Sequence, residues 1–294
     1  MIAAAASATI LAACGGGNGS VDASGTFEAT EVIVSAEGNG RILSLTINEG
    51  DSLAAGQVIG QIDTAQLYYT RKQLAASVRM IGSRSQDIAT QIAATQEQIA
   101  TQQREQARVQ NLLAVDAANK KQLDDINSAI AVLQKQLEAQ RTTLENANRG
   151  VGDNIAMATA QIAQIDDQIR KCRIRSTIAG TVLAKYAQAG EVTGVGRPLF
   201  KMADLDNIFL RAYITSDQLS TLRLGQKATV TSDYGRRGNK TYEGTITWIS
   251  GQAEFTPKNI QTRNERSNLV YAVKIAVRND GLLKIGMYGD VRFE

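Results

Sequence analysis

The stretch NGRILSLTINEG at residues 39–50 returns, in altered form, as AGTVLAKYAQAG at residues 179–190. At a constant offset of 140 residues, glycine, aliphatic and acidic positions coincide: Gly40/Gly180, Ile42/Val182, Leu43/Leu183, Gly50/Gly190, Asp51/Glu191, Gly56/Gly196 and Ile59/Leu199. A lone β-hairpin is marginally stable in water, so each copy needs a partner to bury its apolar face. The repeat therefore predicts two halves of one small β module that fold against each other and bring Asp63 and Cys172 together.

The composition argues against most enzymes and against nucleic-acid binding. Among the 294 residues there is no histidine, which removes the usual general base and the commonest metal ligand. We therefore expect no enzymatic activity, no catalytic residue, no metal and no cofactor. The formal net charge is only +3 and the chain has no concentrated basic tract, so we expect no nucleic-acid partner.

The first residues resemble an export signal with a lipid attachment site. Residues 2–13 form an apolar run too short to span a bilayer, similar to the h-region of a secretory signal peptide. The run ends in Leu-Ala-Ala-Cys, which resembles a bacterial lipobox, so Cys14 is predicted to be lipidated and to precede a flexible GGGNGS tether. No Lys or Arg precedes the run, which leaves open a true start farther upstream. The alternative is a disordered Ala-rich terminus. With Cys14 lipidated, Cys172 remains as a lone thiol, buried or at a helix end.

Between the two copies the chain predicts a long helical hairpin. Residues 67–170 contain no proline and are rich in good helix formers. In the second half, apolar residues recur at spacings of three and four, with Gln140 as the one polar position: Leu123, Ile126, Ile130, Leu133, Leu137, Leu144, Ala147, Val151, Ile155, Ala158, Ile162, Ile165 and Ile169. Two antiparallel helices of about 48 residues would each reach about 70 Å. Such a hairpin leaves and returns at one place, as an insertion between paired half-modules must.

The heptad phase is lost at residues 114–119, where we place the turn of the hairpin. Asp116 or Asn119 is predicted to cap the second helix. Folding the chain there puts Gly82 level with Gly150 and Gly152, beside a stutter in the apolar seam. Two interpretations of these glycines stay open, a weak spot in the coil and a close-packed crossing of the helices.

This organisation resembles the HlyD-type periplasmic adaptor proteins, also called membrane fusion proteins, over nearly the whole mature chain. The run GRILSLTINEGDSLAAGQVIGQID at residues 40–63 has the G-x-I-x-x-L, E-G-D and G-Q spacing of their split lipoyl-like domains. Residues 205–230 resemble the first strands and short helix of the adaptor β-barrel, and residues 282–293 resemble its closing strand. The run AEFTPKNIQTRNERSNLVYAVKI at residues 253–275 is similar to a stretch typical of adaptors that serve ABC-type exporters.

The resemblance implies an elongated α+β fold, with the antiparallel coiled-coil hairpin inserted into a split lipoyl-like β-sandwich and followed by a small antiparallel β-barrel. The expected divisions are the signal peptide, lipobox and tether at 1–21, the first lipoyl-like half at 22–66, the hairpin at 67–170, the second half at 171–204 and the barrel at 205–294. Alternating strands separated by Gly- and Asn-rich turns favour that barrel, and Trp248 is expected in its core.

The resemblance also implies partners and a location. We expect an adaptor in the periplasm of a Gram-negative bacterium, held to the membrane by the lipid on Cys14. Its partners would be an inner-membrane transporter, a TolC-like outer-membrane channel and further copies of itself, six by family resemblance. The family's extra membrane-proximal domain is not found after the closing strand. That and the ABC-typical stretch favour an ABC-type transporter.

The turn of the hairpin is the expected docking tip for the outer-membrane channel. Adaptors that dock on TolC-like channels carry R-x-x-x-L-x-x-x-x-x-x-S around the helix turn. Here Arg108 and Leu112 match this motif, whereas Asn119 replaces the serine. Asparagine can cap a helix or bond a partner backbone, so the role is compatible with the substitution. An ordinary solvated turn is the alternative.

Particular residues argue against other functions or leave them open as alternatives. A lipoyl or biotinyl carrier needs a lysine at the turn between the halves, where this chain has Thr64. The adjacent carboxylates of Asp166 and Asp167 do not share a helix face, so they indicate solvated flanks and not an acid–base pair. Arg236 and Arg237 indicate a charged barrel loop, with lipid headgroups or a transporter as alternative contacts. The remaining functional alternatives are an adaptor for an RND or MFS pump and a lipid-anchored coiled-coil scaffold without an export role.

Overall fold

The computed structural model describes residues 21–233, 238–255 and 269–294. Within these residues the chain forms, in order, β1 (Ala23–Ser35), β2 (Gly40–Leu45), β3 (Ser52–Leu53), β4 (Val58–Ile62), α1 (Ala65–Gly82), α2 (Ile88–Leu113), α3 (Lys120–Lys171), β5 (Arg173–Arg175), β6 (Gly180–Lys185), β7 (Val192–Thr193), β8 (Pro198–Thr215), α4 (Ser216–Leu219), β9 (Lys227–Asp233), β10 (Asn239–Ile249), β11 (Glu254–Phe255), β12 (Leu269–Arg278) and β13 (Tyr288–Phe293). The combination of helices and strands agrees with the α+β class expected from the sequence.

The two sequence copies fold into one body. Strands β2, β3 and β4 of the first copy correspond to β6, β7 and the start of β8 in the second, and the copies exchange strands, since β2 pairs with β7 and β3 pairs with β6. The matched residues Ile42 and Val182 are 0% and 2% exposed in a single shared core. The prediction that the repeats are halves of one module is therefore confirmed.

The ends of the helical insertion lie side by side at this sandwich. The backbone amide of Ile62, at the end of β4, donates to the carbonyl of Cys172 at 2.8 Å. Cys172 follows α3 directly and is 1% exposed, so the thiol is both buried and at a helix end, as expected. Gly38 allows this close packing, because a Cβ there would lie 2.8 Å from the Cys172 sulfur.

The second arm of the hairpin is one unbroken helix. Helix α3 has 52 residues, a length of about 78 Å at the usual rise. Its predicted apolar seam faces the first arm, and Ile130 and Ala158 are the buried members. Gln140, the polar position of the seam, accepts a hydrogen bond of 2.9 Å from the Thr95 hydroxyl of the opposite helix. At one place the seam differs from prediction, because Ala147 is exposed and its neighbour Asn148 turns inward.

The first arm is not the single helix of about 48 residues that the sequence predicted. It breaks at residues 83–87 into α1 and α2. The contacts across the hairpin show why. Gly82 lies against Ile155, whereas Gln86 bonds Asn148, so a short piece of the first arm spans a longer piece of α3. Extended chain covers about twice the distance per residue of a helix and can bridge that difference.

The broken arm is held by hydrogen bonds, and close packing of glycines plays no part. The amide of Gln86 donates to Asn148 Oδ1 at 2.8 Å, and Asn148 Nδ2 donates to the Gln86 carbonyl at 2.8 Å. Asp87 then caps α2 by accepting from the Ala89 amide at 3.0 Å. A Cβ added at Gly150 or Gly152 would meet no atom within 4 Å. Of the two interpretations of these glycines, the structure therefore excludes the close-packed crossing.

The remaining strands form a closed barrel. Its strands follow in the order β12-β10-β9-β13-β1-β8, and β12 also pairs with β8 to complete the circle. Alternating side chains of these strands fill the interior, among them Phe27, Leu210, Val230 and Ile275, all fully buried. Closure removes the exposed sheet edges that would otherwise invite aggregation.

Two long strands belong to both the barrel and the sandwich. In β1, Phe27 lies in the barrel core whereas Val34 lies in the sandwich core, and in β8 the same holds for Leu210 and Phe200. Residues 23–29 therefore contribute to the barrel, although the sequence-based division placed all of 22–66 in the first lipoyl-like half. The five-part division of the chain stays a prediction, and its boundary at residues 204 and 205 falls inside β8.

Trp248 is not in the barrel core, so that expectation was wrong. Its side chain is 41% exposed. The register of β10 against β12 shifts between Ile246 and Trp248, which is a β-bulge. A bulge inserts one extra residue and reverses the in–out alternation beyond it. Ile246 therefore points inward, whereas Trp248 turns to the outer surface, where Lys274 Nζ lies 5.6 Å from the centre of its ring system.

Candidate functional site

The predicted turn of the hairpin is a short loop between α2 and α3. The Ala117 amide donates to the Leu112 carbonyl at 2.8 Å, which ends α2. Asp116 adopts a φ of +55°, a left-handed conformation that Asp and Asn tolerate better than most residues. About two helical turns from the loop, Gln106 Nε2 donates to Asn127 Oδ1 at 2.6 Å and ties the two helices together. The loop is therefore anchored on both sides.

Asn119 acts as the cap of α3, as one of the two expected alternatives. Its side-chain oxygen accepts from the Lys121 amide at 3.0 Å. Asp116 makes no such bond to the helix among the described residues, because its left-handed backbone sits within the turn. The capping role explains how asparagine can stand where related tips carry serine, since both side chains accept from a free helix amide.

Arg108 lies on the outer surface of α2, with its side chain 65% exposed. Its Nε donates to Glu105 Oε2 at 2.8 Å, one turn earlier in the same helix. The hydrogen bond to Glu105, followed by the attraction of the charge, raises the pKa of the guanidinium, and the same bond lowers the pKa of Glu105. An exposed ion pair of this kind stabilises the fold little and leaves the guanidinium accessible to a partner.

Leu112 is half-exposed, one helical turn beyond Arg108 on the same face. The next apolar residue, Val115, is 71% exposed at the turn itself. By contrast Val109, which directly follows Arg108 in the sequence, is fully buried against α3. The tip therefore exposes the Arg108 guanidinium together with the apolar side chains of Leu112 and Val115, although among the described residues no hydrogen bond joins the side chains of Arg108 and Asn119.

The root of the hairpin carries the paired carboxylates. Asp166 accepts from Arg71 Nε at 2.5 Å across the two helices, and Asp167 binds Arg170 and Lys171 within α3. Each carboxylate has its own cation, which agrees with charged flanks and not with an acid–base pair. Thr64, where a carrier domain would present lysine, is the residue that precedes α1.

Several predicted features fall outside the described residues. They are the lipidation site Cys14, the charged loop residues Arg236 and Arg237, and the TPKN part of the ABC-typical stretch. Within the described ranges, no helix has the length and hydrophobicity needed to cross a bilayer. No cluster of three or more potential metal ligands occurs there either.

Two features of the structure were not predicted from the sequence. The first is the double hydrogen bond from Asn148 to the backbone of Gln86, for which a polar residue next to the stutter was the available signal. The second is the outer barrel surface on which Lys274 Nζ lies 4.5 Å above the Phe209 ring and near Trp248. No sequence pattern indicated that surface, because it depends on the bulge in β10.

The chain is similar in sequence to bacterial proteins that are named UPF0194 membrane proteins. A UPF0194 membrane protein of Yersinia pseudotuberculosis serotype O:3 is 29% identical over 277 residues, which are 86% of this chain and 83% of the relative. Another, from Acidithiobacillus ferridurans, is 28% identical over 285 residues, 90% of this chain and 83% of the relative. No protein-family model matches the chain.

Comparison with solved structures identifies the fold. MacA from Actinobacillus actinomycetemcomitans superposes with a TM-score of 0.57 at 19% identity, covering 92% of this chain and 76% of that one. The membrane fusion protein Spr0693 from Streptococcus pneumoniae has a TM-score of 0.52 at 19% identity, covering 92% and 97%. The chain has the fold of the membrane fusion proteins, which confirms the resemblance to HlyD-type adaptors that its sequence motifs indicated.

Proposed function

We propose that this protein is the periplasmic adaptor subunit of a tripartite efflux or secretion system. The observation that carries the proposal is the return of the helical hairpin to its starting point. Strand β4 leads into α1, and α3 leads into β5, which pairs with β4. The hairpin is thus mounted on a closed sandwich while its tip lies at the far end of a helix of about 78 Å. A rod on a compact base suits a bridge between two membranes.

The outer-membrane end of the bridge would be the tip with Arg108, Leu112 and Asn119, docked on a TolC-like channel. An exposed cation and neighbouring exposed apolar side chains are groups that interfaces use. The inner-membrane end would be the barrel, bound to an ABC-type transporter. Support for the ABC type is the sequence run at residues 253–275. Six copies side by side would complete the conduit, and energy would come from the transporter.

Site-specific cross-linking tests this assignment without knowledge of the cargo. A photo-reactive amino acid at Val115 is expected to cross-link to an outer-membrane channel in the native host. The same group at Met157, which is 60% exposed and lies more than halfway along α3 from the tip, is the control for non-specific capture. Equal capture of the channel from both positions, or none from Val115, would remove the tip from the proposal.

A charge reversal tests the role of Arg108 in export. Arg108→Asp is expected to abolish export while the fold and the transporter ATPase stay intact. Arg104→Asp is the matched control, because Arg104 is equally exposed on α2 but bonds Glu97, farther from the turn. Asn119→Ser should retain export, since serine also caps helices. Unchanged export by Arg108→Asp would contradict the docking role.

The transporter class and the lipid anchor need separate tests. Cross-linking from Trp248 on the barrel is expected to capture an ABC permease or its ATPase partner, whereas capture of an RND or MFS pump would establish that alternative.

Metabolic labelling with radioactive palmitate is expected to mark the chain and to be lost in Cys14→Ser but not in Cys172→Ser. Labelling that survives Cys14→Ser would exclude the predicted anchor.

A further inference from the structure

A cleft opens at the root of the hairpin, on the side of the sandwich where two strand edges face each other. It is lined by residues 33–37 of β1 and the turn after it, by residues 173–177 of β5 and beyond, by the last turn of α3 and by Val195. Its volume of about 820 Å³ lies within the range of small-molecule sites in proteins. The tip and the barrel surface described above do not contribute to it.

The two strand edges of the cleft are the same strand in the two copies of the repeat. At the offset of 140 residues, Val34 corresponds to Ile174, and both are buried in the sandwich core, 5% and 4% exposed. On either side of this shared position the copies differ. Ile33 corresponds to Arg173, and Ser35 corresponds to Arg175. At residues 33–36 the first wall of the cleft is therefore uncharged and mostly apolar, whereas the symmetry-related wall is basic.

The apolar side of the cleft is open to solvent. Ile33 is 54% exposed on β1, and Val195 is 67% exposed on the loop before β8. Covering both side chains would remove apolar surface from water, which stabilises a complex. A ligand with an aliphatic or aromatic body would gain this energy, and a compact hydrophilic ion would not.

The basic side of the cleft contains one cation whose side chain has no partner among the described residues. Four cations line the cleft against two carboxylates, Glu37 and Asp167, which leaves a net charge of +2. Asp167 already binds Arg170 and Lys171. Arg175 donates one bond to the Gly56 carbonyl at 3.1 Å. The Arg173 side chain is exposed and makes no hydrogen bond or ion pair within the described ranges of the chain, although its backbone pairs with β4.

We propose that this cleft binds an amphiphilic anion, a molecule with one carboxylate, sulfate or phosphate group on an apolar body. The acidic group would bond the Arg173 guanidinium, whose planar donors match such groups in pairs. The apolar body would cover Ile33 and Val195. This site is independent of the adaptor role, because it concerns a different part of the molecule and is tested on the isolated chain.

Equilibrium dialysis with radiolabelled decanoate, below its micellar concentration, tests the proposal on the purified full chain. Decanoate is expected to bind, whereas acetate, which lacks the apolar body, and decyl maltoside, which lacks the charge, should bind at least about tenfold more weakly. Equal binding of acetate would leave only an ion site, and equal binding of the maltoside would leave only an apolar groove. Either outcome would overturn the proposal.

Variants of the two walls separate the contributions. Arg173→Glu is expected to weaken decanoate binding about tenfold or more. Its matched control is Arg41→Glu, an exposed arginine on β2 of the same sheet that does not line the cleft. Ile33→Gln should weaken decanoate but leave acetate unchanged.

Two results would contradict the proposal that the cleft binds an amphiphilic anion. One is an equal loss of decanoate binding in Arg173→Glu and Arg41→Glu. The other is tighter binding of a hexaglutamate peptide than of decanoate, insensitive to Ile33→Gln, which would assign the cleft to an acidic protein segment.

Discussion

The backbone amide of Gly50 donates a hydrogen bond to the carbonyl oxygen of Val182 at 2.9 Å. The equivalent bond in the other copy, from the Gly190 amide to the Ile42 carbonyl, measures 2.8 Å. Each turn glycine thus binds the strand that leads into the corresponding turn of the other copy. Gly50 and Gly190 have φ values of +92° and +95°, a region that only glycine enters without strain. The sandwich is therefore a two-fold exchange of hydrogen bonds between distant parts of the chain.

Substitution of the strand glycine beside this bond should weaken the exchange. A Cβ at Gly180 would lie 2.3 Å from the carbonyl oxygen of Ala203, a clash with backbone that no rotamer relieves. Gly180→Ala is expected to destabilise the sandwich by about 1–3 kcal/mol. Hydrogen exchange of residues 40–62, read by mass spectrometry, should speed up accordingly. Gly150→Ala is the control, and it should stabilise α3 by up to about 1 kcal/mol, because a Cβ there meets no atom. Unchanged exchange in Gly180→Ala would refute the clash.

The hydrogen bonds that hold the broken first arm against α3 should depend on the side-chain amide of Asn148. Asn148→Ala removes both hydrogen bonds to the Gln86 backbone. It is expected to lower the free energy of local opening of residues 83–90 by about 1–3 kcal/mol. Asn146→Ala, two residues away, bonds only Arg149 of its own helix and should leave that segment unchanged. Hydrogen exchange of the segment measures both. Equal protection of residues 83–90 in the two variants would show that the hydrogen bonds of Asn148 do not hold the first arm at its break.

The polar pair inside the hairpin should be coupled. Gln140→Leu leaves the hydroxyl of the buried Thr95 without its acceptor and is expected to destabilise the hairpin by about 1 kcal/mol. The double variant Thr95→Val/Gln140→Leu removes donor and acceptor together and should be at least as stable as the natural chain. Thermal unfolding followed by far-ultraviolet circular dichroism gives both values. A double variant less stable than Gln140→Leu would show that the bond matters little.

Cys172 should make the protein less stable in alkali. Burial, and after it the negative charge of Asp63, raises the pKa of the Cys172 thiol in the folded chain. The unfolded thiol ionises at its ordinary pKa, near pH 8 to 9, while the folded thiol stays protonated. The stability that this group contributes is therefore fully present below the pKa of the unfolded thiol. It is lost as the pH rises from there through the raised pKa of the folded thiol. Urea unfolding at increasing pH should show a steeper decline for the natural chain than for Cys172→Ala, and parallel declines would contradict the assignment.

Much of the architecture was predictable because local signals and the global fold agree. The glycines at 50 and 190 require turns, and the spacing of Ile130 and Leu137 requires a helix with one apolar seam. At the tip, Arg108, Leu112 and Asn119 were predicted as a group, and the structure places them around one turn with Asn119 as the cap. Their contact with a channel stays a prediction.

Other features followed from contacts between distant residues and had no local signal. Residues 83–87 are compatible with a helix by composition, yet residues 83 and 84 form a turn and residues 85–87 are not helical, where the first arm spans a longer piece of α3. Trp248 looked like a core residue until the bulge opposite Lys274 reversed its orientation. The cleft depends on Ile33 and Arg173 lining one opening, although they lie 140 residues apart in the sequence.

By itself, the sequence determined the repeat, the hairpin and the position of its turn, because hydrophobic spacing and glycine act over a few residues. Only the tertiary structure decided how β1 and β8 join the barrel to the sandwich, where the first arm breaks and which walls line the cleft. Those outcomes depend on pairing between strands far apart in the chain. The physical reason is that registers and bulges are set by the partner strand, and the partner is known only after the chain has folded.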